Sequence, residues 1–272
     1  MGVTALSVNL NKVAWLRNAR EGARPSVADA ARTVIAAGAQ GVTAHPRPDQ
    51  RHIRPDDVAV LAEVVRAHPQ IEFNIEGNPY AGPRDNGYPG FDRLIGSARP
   101  HQATLVPDAD GQLTSDHGWD LSDQADADRL AAVVARYRGW GARVSLFVDP
   151  VPEQIRGAAD CGADRIELYT GPYAEIVERC GAESDDAEES RRVYREAARY
   201  AGELGLGVNA GHDLNLDNLA RFVAMGGIAE VSIGHALTAD ALEWGLPATV
   251  GKYLDAIAQG ISKQGISKEH RE

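Results

Sequence analysis

Apolar and polar positions alternate along this chain in two rhythms. Short runs rich in Val and Ile read as strands: ALSVN (Ala5–Asn9), GVTA (Gly41–Ala44), QIEFNI (Gln70–Ile75) and ATLV (Ala103–Val106) in the first half. RVSLFV (Arg143–Val148), RIELY (Arg165–Tyr169), LGVN (Leu206–Asn209) and EVSI (Glu230–Ile233) follow in the second. Their apolar character suits strands buried on both faces. Between them, apolar spacing near 3.6 predicts helices: VAWLRNAR, VADAARTVIAAG opened by Pro25-Ser26, VAVLAEVVRAH opened by Arg54-Pro55, FDRLIGSA, Leu121–Tyr137 and Pro152–Cys161. Further on, ESDDAEES reads as an acidic helix start leading into RRVYREAARYAGEL, then LARFVAM, then a last pair over Ala236–Gln259. Eight strands alternating with helices imply parallel βαβ units. The expected fold is α/β, a single (β/α)8 TIM barrel with additional helices over residues 1–259. Residues 260–272, GISKQGISKEHRE after Gln259, form a polar tail expected to fray. An open doubly wound sheet would carry a Gly-rich turn after its first strand, and this chain has Asn-Leu-Asn-Lys there.

Composition narrows the chemistry. With 272 residues, 43% hydrophobic and 25% charged, the chain fits one large soluble domain. A net charge of −11 argues against nucleic-acid binding through bulk charge, so positive charge for any phosphate must be local. No run has the apolar length of a membrane span, and the opening residues lack a signal-peptide pattern. Cys161 and Cys180 follow no metal or redox spacing, which points to a reducing, cytoplasmic setting. No Walker A or HExxH motif occurs, and neither a metal nor a cofactor is implied.

In such a barrel the C-terminal strand ends meet at one mouth, where catalytic groups sit. Those ends offer Asn9 and Asn11, then His45, Arg47 and His52 from the burst HPRPDQRH, then Glu72 with Glu76 just beyond. The later strands offer Glu167, then Asn209, Gly211 and His212, then Gly234 and His235. Four of eight histidines therefore fall at strand ends. Glu72 and Glu167 lie inside otherwise apolar runs. Either they face the lumen, where burial would raise their pKa values and suit them to proton transfer, or they turn outward to an Arg such as Arg165. The turns Gly211-His212 and Gly234-His235 allow close backbone approach and suit a phosphate at a helix N-terminus. Arg51 and Asp49 fit a salt bridge that stiffens the loop.

VNLNKVAWLRNAR, GVTAHPRPDQRHIR, IEFNIEGNP, VSLFVDP, IELYTGPYA, VNAGHDLN and VSIGHAL together resemble the pyridoxine 5′-phosphate synthase family, in family order from near residue 5 to near residue 240. The resemblance implies a homo-octamer of barrels that condenses 1-deoxy-D-xylulose 5-phosphate with 3-amino-2-oxopropyl phosphate, giving pyridoxine 5′-phosphate, phosphate and water. Carried over by motif, His45 and Glu72 look like proton acceptors, His212 like the proton donor, and Glu167 like the transition-state stabiliser. Arg47, His52 and Thr114 match positions holding the deoxyxylulose phosphate. Asn9, Arg20, Asp213, Gly234 and His235 match positions around the aminoketone phosphate. Two departures stand out. Asn11-Lys12 replaces the Asp-His pair of many members, which contacts the sugar phosphate, and Asn78–Asp92 is longer than in some.

Joining an amine to a ketone, losing water, eliminating phosphate and closing a ring are serial proton transfers, which the strand-end acids and bases suit. Two readings compete: another phosphosugar isomerase or aldolase on the same barrel, and a non-catalytic phosphometabolite-binding protein. A Schiff-base aldolase wants a lysine at an inner strand end, and none occurs within strands two to eight. The loops Pro107–Asp120 and Asn78–Gly90 are candidate lids.

Overall fold

The strand pattern closes on itself. The computed structural model describes residues 4–20 and 22–269, with only the backbone of 265–269. Its eight strands are β1 (Ala5–Asn9), β2 (Gly41–Ala44), β3 (Glu72–Gly77), β4 (Gln102–Leu105), β5 (Arg143–Val148), β6 (Arg165–Leu168), β7 (Gly207–Ala210) and β8 (Glu230–Ile233). Each pairs in parallel with the next, and β8 pairs with β1, closing the barrel. Among the described residues the helices are α1 (Asn11–Asn18), α2 (Val27–Ala36), α3 (Pro55–Arg66), α4 (Phe91–Ala98), α5 (Gln124–Gly139), α6 (Pro152–Asp160), α7 (Gly171–Cys180), α8 (Asp185–Glu203), α9 (Leu219–Ala224), α10 (His235–Trp244) and α11 (Leu246–Glu269).

Local chemistry sets several helix starts. Ser26 caps α2 by accepting from the Asp29 N–H at 3.1 Å, and Asp123 caps α5 by accepting from Ala125 at 2.8 Å. Ser184 caps α8, whose first turn carries Asp185, Asp186 and Glu188 at the positive end of the helix dipole. Each such cap is worth about 1 kcal/mol.

The expectation of strands apolar on both faces is corrected. Only the helix-facing side is apolar: Leu6, Val8, Val42, Phe73, Ile75, Val144, Leu146, Ile166 and Val231 are all at most 2% exposed. The lumen is mainly polar, with Phe147 of β5 entering it near the mouth. The Ser7 and Thr43 hydroxyls bond at 2.7 Å, and the Thr104 hydroxyl donates to Asn74 at 3.0 Å. At the N-terminal end Arg143 donates to Glu72 and Gln102, while Arg165 donates to Asn209 and Glu230. Most of these buried polar groups satisfy one another, although Ser145 Oγ and Asn209 Nδ2 have no partner. The apolar core is accordingly a sleeve between barrel and helices.

A second correction concerns the tail. α11 continues through Glu269, and Gln264 Nε2 donates to the Val223 carbonyl on α9 at 2.6 Å. Gly260 permits this docking, since a Cβ there would sit 2.7 Å from the Ala220 carbonyl oxygen. Residues 270–272 of the expected tail lie outside the described residues.

Candidate active site

Twelve of the fourteen sequence-derived site residues line one cavity of about 440 Å³ at the C-terminal mouth. They are Asn9, Asn11, Lys12, His45, Arg47, His52, Thr114, Glu167, His212, Asp213, Gly234 and His235. Two do not join them. Arg20 is exposed just beyond α1. Glu72 is the first residue of β3, at the opposite end of the barrel, where both its carboxylate oxygens accept from Arg143. That hydrogen bond, against the opposing effect of burial and with help from the Arg143 charge, holds the Glu72 carboxyl below its usual range. Placing Glu72 at the mouth is therefore corrected: it faces the lumen, but at the wrong height.

The carboxyl that does reach the mouth from β3 is Glu76, four residues on and on the same face of the strand. It is 9% exposed and lines the cavity. Its Oε2 accepts from Asn9 Nδ2 at 3.2 Å and lies 3.8 Å from His45 Nδ1. On the other side, His45 Nε2 lies 3.7 Å from Asp108 Oδ2. Two neighbouring carboxyls would ordinarily raise an imidazole pKa. Here burial, followed by the charge of Arg47, drives His45 well below its ordinary value, so it is a neutral base. Burial, then the charges of Asp108 and Glu230, push Glu76 up to about 8. Burial, then Glu76 and Glu230, push Glu167 well above the ordinary carboxyl range, and Glu167 Oε2 is buried without a hydrogen-bond partner.

The cationic side of the cavity comes from the β2 loop. Arg47 is 6% exposed, paired with Asp108, and donates to the Gln112 carbonyl at 3.0 Å, so it ties down the loop after β4. Ser115 adds a bond to Asp108 at 2.9 Å. Burial, then Arg47, lowers His52 to about 3. The Ile53 N–H donates to His52 Nδ1 at 2.9 Å, which leaves Nε2–H as a neutral donor toward a ligand. Lys12 sits 4.3 Å above the Trp15 ring, its pKa lowered by burial and then by Arg47 and Arg51. Asn11 accepts from the His45 backbone N–H at 2.9 Å, so it ties the first loop to the second. The Arg51–Asp49 bridge forms, with Nε to Oδ2 at 2.6 Å.

His212 closes the far side. Its ring packs edge-on against Phe147 and Tyr169, and Nε2 lies 3.2 Å from the Thr114 hydroxyl. Burial lowers its pKa, against the charges of Asp213, Asp108 and Asp116. Gly211 is required here, because a Cβ would sit 2.1 Å from the Ser232 carbonyl oxygen. Asp213 follows at φ +61°, a left-handed conformation.

Glu76 was named in the sequence only as lying beyond a strand, and Asp108 and Ser115 were missed. Period-two alternation from Glu72 through Asn74 was the available signal for Glu76. The long segment after β3 forms, through Asn78, Tyr80, Arg84 and Tyr88, one wall of a second cavity of about 570 Å³ beyond Arg47 and Asp108. Among the described residues no group of three or more His, Cys, Asp and Glu is placed to hold a metal, and no helix is long and apolar enough to cross a membrane.

A family model described as "Pyridoxal phosphate biosynthesis protein PdxJ" matches residues 6–259. The chain is similar to the pyridoxine 5′-phosphate synthase of Xanthomonas campestris pv. campestris, 55% identical over 260 residues, covering 95% of this chain and 98% of the relative. It is similar to the enzyme of the same name from Albidiferax ferrireducens, 54% identical over 263 residues, covering 95% and 99%. Among solved structures it resembles tryptophan synthase of M. tuberculosis with TM-score 0.58 and 14% identity, covering 95% and 93%, a likeness of fold alone.

Proposed function

Because the chain belongs to the PdxJ family of pyridoxal phosphate biosynthesis proteins, we propose that it condenses 1-deoxy-D-xylulose 5-phosphate with 3-amino-2-oxopropyl phosphate to give pyridoxine 5′-phosphate, phosphate and water. The observation that carries this reading is the single cavity in which His45, His212 and Glu167 face the cationic Arg47 and Lys12, with His52 beside them as a neutral donor. Two anionic substrates need local positive charge in an acidic protein, and Arg47 and Lys12 supply it.

His45, held neutral, takes protons during imine and enol formation. His212 delivers protons to leaving oxygens. Glu167, buried with an unpartnered oxygen, stabilises the charge that develops between them. Arg47, His52, Lys12 and Thr114 hold the sugar phosphate. Asn9, Asp213, Gly234 and His235 border the aminoketone phosphate, with Arg20 joining them if its segment folds inward on binding. Arg47 can grip a phosphate while bonded to Asp108 because its guanidinium carries five donors. Assembly as an octamer and a cytoplasmic location belong to the same proposal. The two cysteines support the location, since both are free thiols.

The test is to incubate purified protein with both substrates, without added metal or cofactor, and to follow pyridoxine 5′-phosphate by absorbance and mass. Product formation is the expected result. No product, with sugar phosphate still bound, would favour a binding protein. Light scattering on the same preparation reads the assembly state.

A further inference from the structure

We propose that Lys12 is a covalent catalyst of this site: its Nζ forms an imine with the ketone of the sugar phosphate and then passes that carbon to the amine of the second substrate. The proposal rests on the synthase reading above.

Scarcity and position come first. The chain has four lysines, and Lys252, Lys263 and Lys268 all belong to α11. Lys12 is the one lysine among the described residues that lines the cavity, together with His45, His212 and Glu167. It stands just past the end of β1, in the first turn of α1. That turn is fixed from both sides. The Asn11 N–H donates to Asn9 Oδ1 at 2.9 Å, and Asn11 Oδ1 accepts from the His45 N–H at 2.9 Å. The Trp15 ring, its centroid 4.3 Å from Nζ, limits the sweep of the side chain.

The surroundings suit a nucleophilic amine. Lys12 shares the cavity with Arg47 and Arg51. Arg47 is paired with Asp108 and Arg51 with Asp49, whereas among the described residues Lys12 has no carboxylate partner. An amine drawn partly out of water beside other cations gives up its proton more readily. Burial, then Arg47 and Arg51, lowers the Lys12 pKa, against the charge of Asp213. The positive end of α1 works in the same direction, and the Trp15 face opposes it. The neutral fraction that attacks a carbonyl is thereby enlarged. Residue type agrees: an arginine would grip a phosphate through two parallel bonds, but only a lysine forms an imine.

The step balances. The Nζ lone pair forms a bond to the ketone carbon as the C=O π pair moves to oxygen. His45 and His212 carry the two Nζ protons to that oxygen, which leaves as water while the nitrogen pair closes the C=N bond. The amine of the second substrate then adds to the same carbon. Its two protons pass to Nζ, and the C–Nζ bond breaks with its electron pair returning to nitrogen. Lysine is restored, and the net change is the substrate imine and one water. One difficult condensation is thus divided into two easier ones.

The test is reductive trapping. Purified wild-type protein is mixed with 1-deoxy-D-xylulose 5-phosphate alone, reduced with cyanoborohydride, and its mass measured intact and after digestion. The expected result is a reduced sugar-phosphate adduct on Lys12, absent from protein unfolded in urea. No adduct, or label spread over the α11 lysines, overturns the proposal. Steady-state kinetics give a second readout. Lys12→Arg keeps the charge and loses the imine, so it is expected to lower kcat about tenfold or more, with KM for the sugar phosphate within about threefold. A folded Lys12→Arg within about twofold of wild-type kcat overturns the proposal and leaves Lys12 as a phosphate contact. Trapping uses wild type, so a variant that fails to fold leaves the test intact. Trapping also needs no turnover. Pyridoxine 5′-phosphate without an adduct overturns the lysine step alone, while an adduct without pyridoxine 5′-phosphate upholds that step and removes the synthase reading.

Discussion

Glu76→Gln will change how stability depends on pH, and the size of the change follows from where the carboxyl sits. Its pKa rises from an ordinary 4.5 to about 8 on folding, chiefly through burial. A group that binds its proton more tightly when folded stabilises the fold fully below the unfolded pKa. That stability is lost as pH climbs through the folded pKa. Wild type should therefore lose stability between about pH 4.5 and about pH 8 through this group, and glutamine cannot. At about 1.4 kcal/mol per pH unit the ceiling is about 5 kcal/mol. Neighbouring Glu167 and Glu230 share the proton load in the same lumen, so about 3 kcal/mol is the expected amplitude. The assay is denaturant unfolding, followed by the fluorescence of the four tryptophans, at unit steps from about pH 5 to about pH 9. Subtracting wild type from variant cancels the titrating groups that do not couple to Glu76. The difference should rise with pH and level off above about 8. A difference flat to within about 0.5 kcal/mol would mean that Glu76 ionises normally in the folded barrel, and would refute the reasoning.

Three further outcomes follow from the same geometry. Glu72→Gln removes the partner of a largely buried Arg143, so it should cost about 1 kcal/mol in denaturation while leaving both KM values unchanged, because Glu72 does not line the cavity. Arg47→Lys replaces a fork that holds Asp108 and the Gln112 carbonyl with a single point charge. It should raise KM for the sugar phosphate about tenfold and speed limited proteolysis within residues 107–120. Gly260→Ala drives a methyl group against the Ala220 carbonyl and should lower stability by about 1–3 kcal/mol in the same unfolding assay.

Much of this arrangement was legible because strand ends and histidines coincide. β1, β2, β5 and β8 fall on the residues that their apolar runs predict, and α4 falls on FDRLIGSA. β3 was the costly miss. Its pattern, QIEFNI, was read as ending at Ile75, whereas the strand runs from Glu72 to Gly77. A shift of two residues preserves which face each side chain occupies but moves Glu72 from the mouth to the base. Periodicity reports the face and is silent about height, which depends on register against β2 and β4. α7 was missed because it opens on Gly171-Pro172, a pair that reads as a turn. The polar lumen was visible in several strands as alternation, in Ser7 and Asn9, Glu72 and Asn74, or Glu230 and Ser232. It was masked by an expectation that parallel strands are apolar throughout. Asp108 had no local signal, because its importance comes from Arg47 and His45, which are distant in sequence.

The hydrophilic axis of the barrel also has a thermal meaning. Exposing apolar surface on unfolding raises the heat capacity by about 0.45 cal/K/mol per Å², while exposing polar surface lowers it by about 0.26. A barrel lined by Ser7, Thr43, Asn74, Thr104, Ser145 and Asn209 in place of Val and Ile therefore unfolds with a smaller heat-capacity increment than its length suggests. Its stability curve is correspondingly broad and shallow. Such a protein gives up little of its folding free energy between cold and warm conditions, and calorimetry should find its temperature of maximum stability poorly marked.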